Sequence, residues 1–307
     1  MPRKRVSVDS SGKPFLYTSL RLAQALGLYP AKHTPSHIIF DLGGVLARVS
    51  KFSMAWRTGI SHLIGYTLSH GKSPRSLLFN VLNDIKLPDV GCKKMCDEQG
   101  NCMPKGMALF YQGLVSAGEV QHAVHKLFDE SPSYCSEREK KVITAIVSTI
   151  FDSNVLADAI RFNKRGLEFV YDCVQQGHKL YILSNWDAES FACVRKQYAD
   201  FFDLFDGIIV SGQIGVAKPD PAIFYYLLNR YQLDPDDTVF IDDQPENLAV
   251  AESMGIYGIQ CQSIGWTARP DFQSIRVTFD AWQMERALQE LNEKLTAWMG
   301  YKMRKNY

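Results

Sequence analysis

Residues 37–44 read His-Ile-Ile-Phe-Asp-Leu-Gly-Gly. A compact apolar run leads into Asp41, and two glycines follow within three positions. Such a run, closed by Gly-Gly, has the pattern of a buried strand entering a tight turn, which places Asp41 at the strand's C-terminal end. Further along, similar runs alternate with helical periodicity: strands are expected at 179–184, 207–211, 238–242 and 258–261, and helices at 188–198, 221–231 and 246–254. This alternation predicts an α/β fold, a doubly wound (Rossmann-like) parallel sheet whose ligands bind beyond the carboxyl ends of its strands.

Between residues 50 and 165 the pattern changes. Helices are expected at 52–68, 74–85, 107–115, 120–128 and 137–151, with no comparable strand among them. One irregular piece, 88–105, carries Cys92, Cys96 and Cys102. Further helices are expected at 155–176, at 281–298 and, short, at 19–28. The domain organisation that follows is an N-terminal extension (1–35), a core (36–50 and 166–280), an inserted helical cap subdomain (51–165), and a C-terminal helix with a basic tail (281–307).

Composition narrows the function classes. The chain has 307 residues, a formal net charge of +1, 46% hydrophobic and 22% charged residues. It is long enough to bury a full core, and its charge offers no general attraction to nucleic acid, so no nucleic-acid partner is expected. No apolar run approaches the ~18 residues of a membrane span, so no transmembrane segment is expected. The tail carries Lys302, Arg304 and Lys305, which offer only marginal contact with an anionic membrane surface. Arg3, Lys4 and Arg5 are not followed by the apolar segment of a signal peptide. The expected location is cytoplasmic, with export by a route independent of a signal peptide left open. Seven cysteines, sparse and odd in number, are expected as free thiols. The spacing of Cys92, Cys96 and Cys102 fits no common zinc pattern.

Four features fall at expected strand ends or just after them: Asp41, Ser184-Asn185, Lys218 within Val-Ala-Lys-Pro-Asp, and Asp242-Asp243. In a parallel sheet these ends meet on one edge. Three carboxylates, a hydroxyl and an ammonium suit a hard divalent cation together with a phosphate. Each has a plainer reading alone: Ser184 as N-cap of the next helix, Lys218 as a solvated loop charge, Asp243 as a turn former. Together, and in this order, they resemble the haloacid-dehalogenase-like superfamily, in Phe40-Asp-Leu-Gly-Gly-Val-Leu46, Leu183-Ser-Asn185, Lys218-Pro219, and Ile241-Asp-Asp243 followed by Asn247. The resemblance covers residues 37 to about 262.

That resemblance implies a magnesium-dependent phosphatase acting on a phosphorylated small molecule or a phosphoprotein. Asp41 would attack phosphorus and form an aspartyl-phosphate. Ser184, Asn185 and Lys218 would bind the phosphate, and Lys218 would orient Asp41. Asp41, the main-chain carbonyl of Gly43 and Asp242 would hold Mg2+, with Asp243 supporting by hydrogen bonds. The Asp242-Asp243 pair favours phosphate chemistry over dehalogenation.

One position departs from the family. Most of its phosphatases carry a general-acid Asp two residues after the nucleophile, and here that residue is Gly43. General acid catalysis typically contributes about 10²–10⁴-fold, so its loss implies a preference for aryl, acyl or anomeric phosphates, such as phosphotyrosine or a sugar phosphate. The competing reading is a weakly active or non-catalytic phosphate-binding or interaction protein. His62, His70, His122 and His125 are read as solvated or packed cap residues. Trp56, Tyr66 and Tyr111 are read as cap core, with room for one to line the substrate pocket.

Overall fold

The structure, a computed structural model, describes residues 36–59, 66–67, 74–88, 91, 95, 102–264 and 269–305. Its strands are β1 (His37–Phe40), β2 (Ala47–Val49), β3 (Ile160–Phe162), β4 (Lys179–Ser184), β5 (Gly207–Val210), β6 (Thr238–Asp242), β7 (Tyr257–Gln260), β8 (Ser263–Ile264) and β9 (Arg269–Pro270). Its helices are α1 (Lys51–Thr58), α2 (Arg75–Asp84), α3 (Lys105–Tyr111), α4 (Ala117–Glu130), α5 (Glu137–Ile150), α6 (Ser153–Ala159), α7 (Lys164–Gln175), α8 (Ala188–Gln197), α9 (Ala199–Phe202), α10 (Ser211–Ile214), α11 (Pro221–Tyr231), α12 (Pro245–Ser253) and α13 (Phe272–Lys305). Residues 36–271 form one compact unit, and α13 belongs to a second.

Five strands make the expected parallel sheet, in the order β5-β4-β1-β6-β7. β1 is central because Ile38, Ile39 and Phe40 are apolar on both faces, and all three are fully buried, as a parallel strand covered on both sides requires. Its neighbours are parallel and in register, with Phe40 opposite Ile182 of β4 and Ile241 of β6. The strand order reverses direction around β1, so the carboxyl ends of β1, β4 and β6 converge.

The inserted helices pack on their own apolar cluster, including Val81, Leu82, Leu109, Val120, Val124, Ile143 and Val147. Capping boxes start α4 and α5: Ser116 and Ser136 accept from the N–H of Glu119 and Glu139, whose side chains bond back. The insertion was expected to be helical throughout, but it also carries β3, which pairs antiparallel with β2 so that Ala47 stands opposite Phe162. Three residues per strand are too few to register as a period, and their partners are over a hundred positions apart. This pair also breaks the helix expected at 155–176 into α6, β3 and α7. The restart at α7 is set by Asn163, whose side chain accepts from Arg165 N–H.

Two further expectations change. The C-terminal helix starts at Phe272 and runs 34 residues, longer than the 281–298 expected. Cys102 is disulfide-bonded, contrary to the free-thiol expectation, whereas Cys135, Cys173, Cys193 and Cys261 are free. Spacing alone does not reveal which sulfurs meet in space. Among the described residues, no single helix is long and apolar enough to cross a membrane. The helix expected at 19–28 lies outside the described residues.

The cap is joined to the sheet end at a close backbone contact. Ser211 Oγ, on α10, donates to the carbonyl of Tyr111 at the end of α3. Gly113, at φ +67°, lies so near Gly212 that a Cβ on it would stand 2.8 Å from the Gly212 carbonyl carbon. A Cβ on Gly212 would in turn meet Ala188 N at 2.6 Å and Trp186 O at 2.8 Å. Backbone cannot withdraw as a flexible side chain can, so Gly212→Ala is expected to cost roughly 1–3 kcal/mol. Gly118, inside α4, has open space around it, and Gly118→Ala is expected to add about 0.5–1 kcal/mol. Urea unfolding of the two variants beside the wild type measures both signs.

Candidate active site

Adjacent strands deliver the acidic groups. Asp41 follows β1, and its N–H donates to Ile241 O of β6 at 2.9 Å. Ser184 ends β4 and Asp242 ends β6. Ser184 does not cap the next helix: Asp187 does, accepting from Ser190 N–H at 2.8 Å. Lys218 arrives from the loop after α10, where the Lys218-Pro219 peptide is cis. Asn185 clamps that loop, since Lys218 N–H donates to Asn185 Oδ1 and Asn185 Nδ2 donates to Lys218 O, both at 2.8 Å. The Asn185 side chain was expected on the phosphate. Its amide oxygen and one Nδ2 N–H hold the Lys218 main chain, and the residue also borders the cavity.

Lys218 is no solvated loop charge. It is 2% exposed, and Nζ donates to Asp41 Oδ1 at 2.8 Å and to Asp242 Oδ2 at 2.6 Å. Its ammonium also lies 5.2 Å from the Phe240 ring centroid. Burial alone would lower its pKa, but the carboxylates of Asp242 and Asp41 raise it above the usual lysine value, so the ammonium stays charged.

Asp242 and Asp243 have different surroundings. Asp242 is fully buried and accepts from Lys218, from Asn247 Nδ2 at 3.0 and 3.1 Å, and from Gln244 N–H at 2.8 Å. Asp243 Oδ1 is buried with no hydrogen-bond partner. Gly44, at φ +81°, makes room for this carboxylate, since a Cβ there would stand 2.7 Å from Asp243 Cγ. Asp41, Asp242 and Asp243 offer carboxylate oxygens within 4.8 Å of one another.

The electrostatics follow from this crowding. Burial, and then repulsion from Asp242, push the Asp41 carboxyl up to about 6 against the pull of Lys218. Burial followed by repulsion from Asp41 and Asp242 pushes Asp243 up to about 7. An orphaned buried oxygen among crowded carboxylates is what a hard cation with oxygen ligands would relieve, so the donor set fits magnesium. The sequence expectation put Asp242 on the metal and Asp243 in support. The hydrogen bonds favour the reverse, because Asp242 is already engaged by Lys218, Asn247 and Gln244, while Asp243 keeps an unpartnered oxygen.

Above these groups a cavity of about 860 Å³ runs into the cap. Asp41, Gly43, Ser184, Asn185, Lys218 and Asp243 line its floor, and Phe79, Met103, Met107 and Tyr111 line its upper walls with Arg48 and Arg75. Tyr66 is core, as expected, while Tyr111 lines the cavity. His122 and His125 are exposed on α4 and do not line it. His62 and His70, and the side chain of Trp56, lie outside the described residues. Arg48 and Arg75 had no sequence signal, because a single cation on a strand or helix is ordinarily a solvated surface residue.

The family model of the haloacid dehalogenase-like hydrolases matches residues 35–255. The chain belongs to that family. This hydrolase is 28% identical over 237 residues to acyl-CoA dehydrogenase family member 10 of Mus musculus, an alignment of 70% of this chain and 21% of that protein. It is 33% identical over 84 residues to a sesquiterpene phosphatase of Aspergillus oryzae, covering 27% of this chain and 42% of that one. The chain thus spans less than half the length of either curated relative. Among solved structures, it is similar to a HAD family enzyme of Bacteroides thetaiotaomicron in complex with magnesium and inorganic phosphate. That match has 18% identity and a TM-score of 0.49, and covers 76% of this chain and 98% of the other.

A carboxyl whose pKa is higher folded than unfolded binds more protons in the folded state. Stability is therefore highest below the ordinary carboxylate range and falls as pH rises to about 7, the Asp243 value. Asp243→Asn removes that titration. In metal-free buffer the hydrolase carrying it is expected to unfold at higher temperature than the wild type at pH 8, by up to about 4 kcal/mol of stability. Near pH 4 the difference should vanish. Thermal unfolding across this range, with chelator present, checks the sign.

Proposed function

We propose that this hydrolase is a magnesium-dependent phosphomonoesterase acting through an aspartyl-phosphate on Asp41. The observation that carries the reading is Lys218 Nζ held between Asp41 and Asp242 on the cavity floor, beside the orphaned Asp243 oxygen. Phosphate binding alone needs no buried carboxylate facing the ligand, since such a group repels an anion. A nucleophile needs one, kept ionised by a neighbouring cation.

Asp41 Oδ1 is taken by Lys218, so Oδ2 is the oxygen left to attack phosphorus. The new O–P bond forms as the ester P–O bond breaks, and water later cleaves the acyl phosphate, returning Asp41. Lys218 holds Asp41 as a carboxylate and adds positive charge beside the phosphoryl group, and the Ser184 hydroxyl binds a phosphate oxygen. Asp41, the main-chain carbonyl of Gly43 and Asp243 would hold magnesium, which when bound neutralises phosphate charge and orients the group for in-line transfer. Asn185 fixes the Lys218 main chain, and Asn247 orients Asp242.

The leaving group bears on the substrate class. Gly43 provides no acid, and a phenolate leaves without a proton more readily than an alkoxide. We therefore assign a preference for aryl, acyl or anomeric phosphates. A relative named as a phosphatase supports phosphate over halide as the group removed.

Hydrolysis of p-nitrophenyl phosphate is expected with magnesium, to be lost with chelator, and to fall by about 10³-fold or more in Asp41→Asn. If the wild type only binds inorganic phosphate, with turnover no greater than Asp41→Asn, the protein is a phosphate-binding module instead.

A further inference from the structure

We infer that the substrate of this hydrolase is an aryl phosphate whose leaving group carries an extended apolar body, seated against the cap side of the cavity. The inference rests on the phosphomonoesterase reading above and narrows it, since aryl, acyl and anomeric phosphates share a good leaving oxygen but differ in shape and polarity.

The direction of the leaving group comes from the chemistry. In an in-line displacement the leaving oxygen stands opposite the attacking one, so attack by Asp41 from the floor sends the rest of the substrate up into the cap. That way is open. Gly43 has no side chain, and among the described residues a Cβ there would have only Asp41 Oδ2 within 4 Å, at 3.9 Å. The cavity holds about 860 Å³, toward the upper end of the roughly 300–1,000 Å³ that enclose drug-sized ligands. A phosphoryl group alone leaves most of that space to its ester partner.

The carboxylates and amides of the lining sit on the floor or, like Gln244 and Glu246, directly beyond Asp243 at the start of α12. Above them the walls are largely hydrocarbon: Phe79 of α2, Met95 and Met103 ahead of α3, Met107 of α3, Leu156 of α6 and Ile160 of β3. All but Ile160 are half-buried. Three of the chain's nine methionines meet in this one cavity, and a thioether side chain both adapts its shape and packs favourably on an aromatic ring. The wall is tied together by main-chain contacts. Met103 N–H donates to Met95 O at 2.8 Å, and Lys105 N–H donates to Asn83 Oδ1 at 2.9 Å, joining the start of α3 to α2. Gly106 lets those helices approach, since a Cβ on it would stand 3.0 Å from Leu82 O. Met107 and Tyr111 pack on the cap core behind the cavity.

Such walls select among the three classes. A sugar needs a partner for each hydroxyl it buries, or the unmade hydrogen bonds oppose binding. Among the described residues, the side chains above the floor offer few: Arg48, Arg75 and the Tyr111 hydroxyl. Cys102 is held in a disulfide, and Trp186 Nε1 already donates to Ser190 Oγ at 2.8 Å. Both arginines are exposed, and Arg75 lies over the Phe79 ring, 4.9 Å from its centroid. Their charge suits them to draw a phosphate dianion in from solvent. An aryl ring is favoured over an acyl chain because Phe79, Tyr111 and the thioethers all gain from contact with a ring.

The test is a series of para-alkylphenyl phosphates, from phenyl through butylphenyl to hexylphenyl, assayed with magnesium beside phosphotyrosine and glucose 1-phosphate. A para-alkyl group hardly changes the acidity of the phenol, so the series varies apolar area at constant leaving-group chemistry. kcat/KM should rise by about tenfold or more from phenyl to butylphenyl phosphate, and both polar substrates should fall below the butylphenyl ester. Met103→Gln and Leu156→Gln should each cut the butylphenyl-to-phenyl ratio severalfold. A ratio taken within one protein is not moved by partial loss of folded enzyme. A flat or falling series in which phenyl phosphate is still hydrolysed overturns this assignment and leaves the phosphomonoesterase reading standing, as does faster turnover of either polar substrate. A ratio unchanged in both variants overturns the seat on the cap wall. A wild type that hydrolyses none of these esters with magnesium overturns the phosphomonoesterase reading and this assignment with it.

Discussion

The site depends on one ammonium buried between two carboxylates. Lys218 Nζ reaches Asp41 at 2.8 Å and Asp242 at 2.6 Å, and all three side chains are buried. Burying three charges is costly, and such an arrangement persists only when each group has a partner and good geometry. The surrounding hydrogen bonds meet that condition: Asn185 fixes the Lys218 main chain, and Asn247 and the Gln244 N–H engage Asp242. Asp243 is left out of this balance, and its unpartnered oxygen is the one that a bound cation would relieve.

The sheet makes that cluster possible. Asp41 and Asp242 are far apart in the chain, yet parallel pairing of β1 with β6 sets Phe40 opposite Ile241 and brings the next residue of each strand to the same edge. The apolar character of β1, buried on both faces, keeps it central and so keeps Asp41 between Ser184 and Asp242. The cap then encloses this edge. Because it is joined at Ser211–Tyr111 and Gly113–Gly212, part of its wall is as well placed as the sheet itself.

Much of this was legible in the residues. The apolar run into Asp41, the later alternation and the four motifs implied the doubly wound sheet, its helical insertion and the floor of the site. The β2–β3 pair was not legible, since three-residue strands carry no period and pair across the whole insertion. Nor were the separate parts of Asp242 and Asp243. Adjacent identical residues look alike in sequence, whereas their side chains point different ways, one to Lys218 and one to the cavity.

The sequence by itself determined which groups meet: hydrophobic periodicity assigns strands, strand order is narrowed by connection rules, and both place Asp41, Ser184, Lys218 and the aspartate pair on one edge. Tertiary structure alone decided what each group is free to do. Whether a carboxylate is engaged or orphaned, whether Asn185 faces the ligand or its neighbour, and whether Tyr111 is core or wall all depend on side-chain directions a few ångströms apart. Those directions are set by packing against residues distant in the chain, and periodicity carries no record of them.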